Sequence, residues 1–217
     1  MQTLTAEEAR LLGVLIEKSL TTPEAYPLTI NAMTAGCNQK SNRDPVVEYD
    51  EGQVFRALNL LRNKGLVDQA PPSPGARSNR YQHKCVELLR WSRSKQAVMA
   101  ELMLRGPQTV AELRARGSRM TLLADAAAVT EILSELMQAD PPRVTLIPRG
   151  AGQREDRYAH LLCGPVDTEM ISRSPARSDL EASPSPPEGA GSTPRLDDLE
   201  RRIEALEARL ARLESQT

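Results

Sequence analysis

The chain has 217 residues and a nearly balanced charge, with 28 Lys or Arg against 29 Asp or Glu, which is not the balance of a strongly basic nucleic-acid-binding domain. Only six residues are aromatic (one Phe, one Trp and four Tyr), so Leu, Val, Ala and Met must supply most of the core. The three cysteines form no CxxC pair, no apolar run approaches the roughly 20 residues of a membrane span, and nothing at the N-terminus resembles a signal peptide, so we expect a reduced, cytoplasmic protein.

The first unit extends over residues 4–86. Apolar spacing predicts a first helix, then helices over 28–37 and 51–64, followed by strand-like segments at 66–70 and 80–83. Three helices followed by a two-stranded hairpin is the order of a winged helix-turn-helix, which is therefore the predicted fold of this unit.

The turn between the second and third helices of this unit carries six consecutive hydrogen-bond donors. In a helix-turn-helix this turn leads into the helix that faces the DNA groove. With exposed cations of the third helix and the hairpin, these residues form the predicted nucleic-acid-binding set: Asn38, Gln39, Lys40, Ser41, Asn42, Arg43, Arg56, Arg62, Arg77 and Arg80.

A purely structural interpretation of the same turn stays open. Asn and Ser are turn formers, Asp44-Pro45 is a turn signal, and Asp50 with Gln53 matches a capping pair. Turn chemistry does not account for Lys40 and Arg43. The acids Asp50 and Glu51 would repel phosphate at the start of the third helix, which argues against deep insertion by that end.

The hairpin of the first unit and the segment after it are locally basic. Between residues 71 and 95 there are six basic residues and one acid, Glu87. The basic residues are Arg77, Arg80, Lys84, Arg90, Arg93 and Lys95. This patch could follow a phosphate backbone.

A second unit, over residues 92–164, repeats the pattern of the first. Val129, Leu133 and Leu136 repeat the i, i+4, i+7 stripe of Val54, Leu58 and Leu61. The tetrapeptide Arg80-Tyr81-Gln82-His83 returns as Arg157-Tyr158-Ala159-His160. The predicted fold class is therefore mainly α with small β-hairpins (α+β), as two tandem winged helix-turn-helix units.

The second unit differs in charge from the first. Its third helix, 125–138, contains acids and neither Lys nor Arg, so it is a poor groove reader. Any nucleic-acid contact here would use Arg114, Arg116 and Arg119 in the turn or Arg149, Arg154 and Arg157 in the wing. The interpretation we favour is that this unit packs against the first or binds a protein partner.

Beyond the two units the composition changes twice. Residues 166–194 are rich in Ser, Pro, Gly and acids, which predicts a flexible linker. Residues 195–215 follow a heptad pattern, which predicts a coiled coil with Leu196, Ile203 and Leu210 at position a and Leu199, Leu206 and Leu213 at position d.

Charges beside this stripe favour parallel self-association. The g positions are Arg195, Arg202 and Arg209, and the e positions are Glu200, Glu207 and Glu214. In parallel chains each g Arg meets an e Glu, whereas an antiparallel homodimer sets like charges together. The number of strands stays open, as does a single amphipathic helix docked on its own globular part.

Nothing in the sequence predicts catalysis or a cofactor. His83 with Cys85 and His160 with Cys163 could be imagined as metal ligands, but their spacings differ and the pairs lie in separate units. No nucleophile-elbow, P-loop or HExxH pattern occurs. We therefore expect no enzyme, no cofactor and no metal site.

Several ungapped blocks resemble one bacterial family. They are Leu4-Thr5-Ala6 through Glu17-Lys18 to Thr22-Pro23-Glu24, Tyr26-Pro27-Leu28, Cys37 to Val46, Leu104 to Thr109, Glu112-Leu113-Arg114 and Arg154 to His160. Over residues 3–164, and in its terminal coil, the chain resembles the YceH-like family. The resemblance implies a tandem winged-helix fold in a cytoplasmic bacterial protein, and it implies no reaction and no functional residues.

Two function classes follow. The first is a DNA-binding, transcription-regulatory protein whose first winged helix contacts double-stranded DNA and whose coil joins chains, which raises avidity. The second is a winged-helix scaffold that binds proteins without DNA, consistent with the near-neutral body and the acidic helix of the second unit.

Overall fold

The computed structural model describes residues 2–71, 78–151 and 153–168. These residues are mainly helical and contain two small antiparallel hairpins, so the coarse α+β prediction is confirmed. The predicted coiled coil, and all but the first three residues of the predicted linker, lie outside the described residues. The described residues belong to one compact unit, and the predicted domain boundaries stay predictions.

The order of three helices and a hairpin occurs twice. The first repeat contains α1 (Ala6–Thr21), a 3-10 turn (Pro23–Ala25), α2 (Ile30–Cys37), α3 (Glu51–Asn63), β1 (Val67–Gln69) and β2 (Tyr81–His83). A short helix that the sequence did not predict, α4 (Cys85–Leu89), connects the repeats. The second repeat contains α5 (Arg93–Arg105), α6 (Val110–Gly117), α7 (Ala126–Met137), β3 (Val144–Ile147) and β4 (Arg157–His160).

The helices begin at matching caps in the two repeats. Thr29 caps α2 and Thr109 caps α6, while Asp50 caps α3 and Asp125 caps α7, each side chain accepting a backbone N–H of the first turn. The capping pair predicted at Asp50 and Gln53 is confirmed as a reciprocal capping box. The caps therefore fix an alignment in which α2 corresponds to α6 and α3 to α7.

Each hairpin gains a bridge from the segment before its second helix. Val67 pairs with His83 in the first hairpin, and Val144 pairs with His160 in the second. Leu28 exchanges backbone hydrogen bonds of 3.1 and 2.8 Å with Tyr81. Gln108 does the same with Tyr158 at 3.0 and 2.8 Å, so both hairpins carry a third, one-residue edge.

The two repeats share a core because α1 packs against α5. A Cβ on Gly13 of α1 would lie only 3.0 Å from Leu104 Cγ of α5, so glycine permits the close approach. The predicted helix stripes face this core: all of their residues are buried, namely Val54, Leu58, Leu61, Val129, Leu133 and Leu136. Those stripe predictions are confirmed.

Candidate nucleic-acid interface

The turn between α2 and α3 is closed by its first residue. The side chain of Asn38 donates to the Tyr49 carbonyl and accepts from the Tyr49 N–H, both at 2.8 Å. The Asn38 amide pairs with both backbone groups of Tyr49, as the backbone of a neighbouring strand would, and so holds the two ends of the turn together. Asn38 thus has the structural role that turn chemistry predicts, rather than that of an outward-facing base reader.

Arg43, predicted to contact nucleic acid, is buried and faces the interior. Its guanidinium makes two hydrogen bonds to the Glu17 carboxylate of α1, at 3.0 and 2.5 Å, and its Nε donates to the Gly36 carbonyl at 3.0 Å. Gln39 accepts a further bond from Arg43 at 2.9 Å. The prediction for Arg43 is corrected accordingly, because a guanidinium with no exposed surface and a carboxylate partner cannot reach a phosphate.

The Glu17 carboxylate also receives a cation from the second repeat. Arg119, in the turn before α7, lies 2.6 Å from Glu17 and 2.8 Å from Glu101 of α5. Burial raises the pKa of Glu17, but the hydrogen bonds and charge of Arg43, with the charge of Arg119, outweigh it and hold that pKa below its ordinary value. A buried ionic network therefore joins α1, α5 and both turns.

Further contacts fix the same turn to α5. Arg105 donates to the Asn42 side chain at 2.5 Å, and the Asp44 N–H donates to the Leu104 carbonyl at 2.9 Å. We call residues 38–49, with these contacts, the clasp. Asn42, whose side-chain oxygen accepts the Arg105 bond, adopts a left-handed conformation with φ 59°, which Asn tolerates better than most residues. The clasp joins the two repeats.

Five predicted residues remain at the surface of the first repeat. Lys40 and Ser41 are exposed at the tip of the clasp, and Arg56 and Arg62 are exposed on α3. Arg80 is exposed, and one guanidinium nitrogen donates to the Pro27 carbonyl at 2.7 Å, which holds that nitrogen beside the segment before α2. Arg62 lies over the Tyr81 ring, 5.8 Å from its centroid. Arg77 lies outside the described residues.

The outward face of α3 is not only basic. Phe55 and Leu60 are each 45% exposed on that helix, beside Arg56. Asp50 and Glu51 are exposed at its start. The face therefore combines two cations, an exposed aromatic ring and an exposed Leu, with acids confined to one end. Sequence reasoning missed the two apolar side chains, although their spacing from the buried Val54 stripe carried the signal.

A Ser–His contact at the first hairpin has the wrong polarity for nucleophilic catalysis. His83 Nδ1 accepts from the Cys85 N–H at 3.3 Å, so Nε2 carries the proton and donates to Ser19 Oγ at 3.0 Å. Ser19 in turn donates to the Ile16 carbonyl. A general base would have to accept from the hydroxyl instead.

Both imidazoles are held neutral by their surroundings. Burial lowers the pKa of His83 and that of His160 to about 4 each. Across the parts of the chain that the structure describes, no group of three or more His, Cys, Asp or Glu is placed to hold a metal ion.

The second repeat has a cleft where its helices meet its hairpin. This cleft of about 650 Å³ lies between α6, the start of α7 and the loop that joins β3 to β4. Three arginines line it: Arg114, Arg149 and Arg154. The sequence pointed to these cations, but it could not show that they share one concave surface. By contrast, α7 carries acids, and its Glu135 is paired with Lys95 at 2.5 Å.

The fold and surface define a class, a mainly helical α+β protein with a repeated order of helices and hairpin. The family model described as "Protein of unknown function, DUF480" matches residues 4–153. A UPF0502 protein of Geobacter sulfurreducens is 47% identical over 206 residues, covering 95% of this chain and 88% of the relative. A UPF0502 protein of Paraburkholderia phymatum is 43% identical over 213 residues, covering 98% and 88%.

The chain therefore belongs to the DUF480/UPF0502 family, and the predicted resemblance to YceH-like proteins is consistent with this. Within the described residues, no helix is both long enough and apolar enough to cross a membrane.

Proposed function

We propose that this chain is a tandem winged-helix protein of the bacterial cytoplasm that binds double-stranded DNA through its first repeat and regulates transcription. In this proposal α3 is the recognition helix and the β1–β2 hairpin is the wing. Three observations support the winged-helix assignment: the helix order, the antiparallel hairpin after the third helix, and the bridge that Leu28 adds to that hairpin.

The main observation in support of the proposal is that the arginines of α3 are exposed and have no acidic partner among the described residues. Arg56 and Arg62 are exposed, and no ion pair joins either of them to a carboxylate among the described residues. The buried cation of the clasp, Arg43, is in contrast already paired with the Glu17 carboxylate. Cations left without an acidic partner on a convex helix are suited to phosphates. Lys40 in the turn before α3 and Arg80 in the wing are further exposed cations of this repeat.

Salt-titrated binding of the full-length protein to mixed genomic DNA fragments tests this proposal. We expect binding at low salt whose logarithm falls linearly with the logarithm of salt concentration, with a slope of about one unit per phosphate contact. Failure to bind any fragment at low salt would contradict the proposal.

Self-association is part of the same proposal. The heptad stripe and its alternating Arg and Glu charges support a parallel coiled coil over residues 195–215, which would raise avidity for DNA. Light scattering should show a smaller particle after residues 195–217 are removed. A triple change of Glu200, Glu207 and Glu214 to Lys should also dissociate it, and pairing should return on mixing with a chain whose Arg195, Arg202 and Arg209 are Glu. A full-length chain that is already monomeric at micromolar concentration would exclude the coil.

A second candidate function, a protein-binding scaffold, is favoured by Phe55 and Leu60. Exposed aromatic and aliphatic side chains on one helix are more typical of a protein interface than of a phosphate contact. Replacing both with Ser should leave the salt slope of DNA binding unchanged if α3 reads DNA. If the protein binds no DNA, and the same change abolishes capture of a cellular protein, the scaffold becomes the leading interpretation, with the second repeat as a further partner surface.

A further inference from the structure

The cleft of the second repeat differs in shape from the basic face of α3 in the first. Its volume of about 650 Å³ falls within the range of about 300–1,000 Å³ that small-molecule sites occupy. One wall is α6, and the opposite wall is the loop between β3 and β4. Ala126 at the start of α7 and Tyr158 of β4 also line it. The result is a concave surface, whereas the basic face of the first repeat is a convex helix.

The three arginines of the cleft have spare hydrogen-bond donors. Arg114 donates from one nitrogen to the Ala124 carbonyl at 3.0 Å, which holds its side chain across the end of α6. Arg149 makes a long contact of 3.4 Å with the Arg154 carbonyl. No ion pair joins any of the three to a carboxylate within the described parts of the chain. A guanidinium without an acidic partner can donate two parallel hydrogen bonds to two oxygens of a phosphate or a carboxylate.

The remaining lining suits a flat ring carrying hydrogen-bond donors. Small apolar side chains leave room along α6, namely Val110, Ala111 and Ala115, and Tyr158 adds an aromatic surface. Glu155 and Asp156 are also present, and Asp156 accepts the Arg149 backbone N–H at 3.0 Å. Three cations against two acids leave a net charge near +1. That balance favours one anionic group, with the acids able to accept N–H or O–H bonds from the ring.

The α6 wall of the cleft carries a charge that α2, the corresponding helix of the first repeat, lacks. Alignment by the N-caps Thr29 and Thr109 places Thr34 opposite Arg114. The α2 residues opposite the other three α6 cleft positions are also uncharged, namely Ile30, Asn31 and Ala35. The arginine on the α6 wall is therefore a property of the second repeat, and a shared fold does not account for it.

We propose that this cleft binds a small aromatic anion, a planar ring that bears a single phosphate or carboxylate group. The guanidiniums of Arg114, Arg149 and Arg154 hold the anionic group, and the ring lies along the α6 wall beside Tyr158. Two features favour a small ligand over a DNA duplex. The surface is concave, and α7, the helix that would have to enter a groove, carries acids and neither Lys nor Arg.

Isothermal titration calorimetry on the full-length protein tests the proposal with four probes. Adenosine monophosphate and salicylate carry a ring with a phosphate or a carboxylate, adenosine carries the ring alone, and inorganic phosphate carries the anion alone. We expect at least one of the first two to bind. Adenosine monophosphate should bind at least about tenfold more tightly than adenosine or inorganic phosphate if phosphate is the preferred anionic group. The ranking of adenosine monophosphate and salicylate distinguishes phosphate from carboxylate. The absence of heat from both ring anions at millimolar concentration would overturn the proposal.

Substitutions locate the site and control for misfolding. Arg154→Ala should weaken binding about tenfold or more, since an exposed hairpin arginine can be removed without opening the core. Ala115→Trp should block the cleft with all three arginines intact. Arg93→Ala, at an exposed position outside the lining, is the matched control and should bind as the wild type does. Equal binding by all variants would place the ligand elsewhere and overturn the assignment.

A parallel measurement of DNA binding by the same variants distinguishes this proposal from the DNA-binding function proposed for the first repeat. Small-anion binding with no DNA binding would support the cleft while contradicting the proposed function. If Arg154→Ala weakens binding to a DNA duplex and no small anion binds, the cleft is a phosphate-backbone contact and the small-ligand proposal is wrong.

Discussion

The two repeats share an order of elements and differ in where their cations go. Between the second and third helices the first repeat has thirteen residues (38–50) and the second has eight (118–125). The longer turn supplies the clasp, in which Arg43 forms a buried ion pair with Glu17. Exposed cations then remain on α3 in the first repeat, and in the cleft in the second. The comparison teaches that the same fold can present a convex basic helix or a concave basic cleft, depending on a few side chains.

The largest expected effect comes from breaking the clasp. Changing Arg43 to Met removes the main partner of a fully buried carboxylate, which should destabilise the protein by about 3–5 kcal/mol. Urea denaturation at pH 7 measures the loss. Arg56→Ala, at an exposed site on α3, is the control and should change stability by no more than about 0.5 kcal/mol. A loss below about 1 kcal/mol for Arg43→Met would show that the clasp contributes little to joining the repeats.

Acid should weaken both repeats through their equivalent imidazoles. His83 and His160 have a folded pKa of about 4, against about 6.5 in an unfolded chain. Because the folded pKa is the lower one, the unfolded state binds more protons between these values. The stabilisation is complete above about pH 6.5 and is lost as pH falls toward 4, with a slope of up to about 1.4 kcal/mol per pH unit for each imidazole.

Denaturation midpoints at pH 7 and pH 5 test this prediction, and replacing both histidines with Gln should flatten the dependence. These are the only two histidines in the chain, so the double variant has no imidazole left. If that variant is too unstable to compare, NMR titration of the native imidazoles decides. A folded pKa near 6.5 for both would refute the prediction.

Replacing a glycine with alanine near each of the two turns should destabilise the protein by different amounts. A Cβ on Gly36 would lie 2.6 Å from Val14 Cγ1, and a Cβ on Gly117 would lie 2.8 Å from Leu123 Cδ1. Val14 is β-branched and stiff, whereas the end of a leucine can rotate away. We therefore expect Gly36→Ala to cost about 1–3 kcal/mol and Gly117→Ala to cost less. Thermal melts of the two variants compare them, and equal melting temperatures would contradict the expectation.

The sequence predicted the local parts of this molecule well. Helix stripes such as that of Val54 follow from a 3.6-residue period, and the Asp50 cap follows from chemistry within four residues. The short α4 was missed because five residues show too little periodicity to distinguish a helix from a loop. Arg43 was misassigned because a guanidinium suited to phosphate is equally suited to a carboxylate, and its partner, Glu17, lies 26 residues away in the chain. The cleft escaped prediction for the same reason, since Arg114 and Arg154 meet only in the fold.

The contrast between α3 and α7 can be tested directly by DNA binding. Fluorescence anisotropy on one duplex, from low to physiological salt, should be compared for the wild type, Arg56→Ala with Arg62→Ala, and Glu131→Gln. Glu131 is the α7 position that corresponds to Arg56 when α3 and α7 are aligned by their caps.

We predict that the double arginine variant binds more weakly on every sequence and loses about two units of salt slope, one for each phosphate contact, while Glu131→Gln binds at least as well as the wild type. An unchanged affinity and salt slope for the double variant would contradict the proposed role of α3.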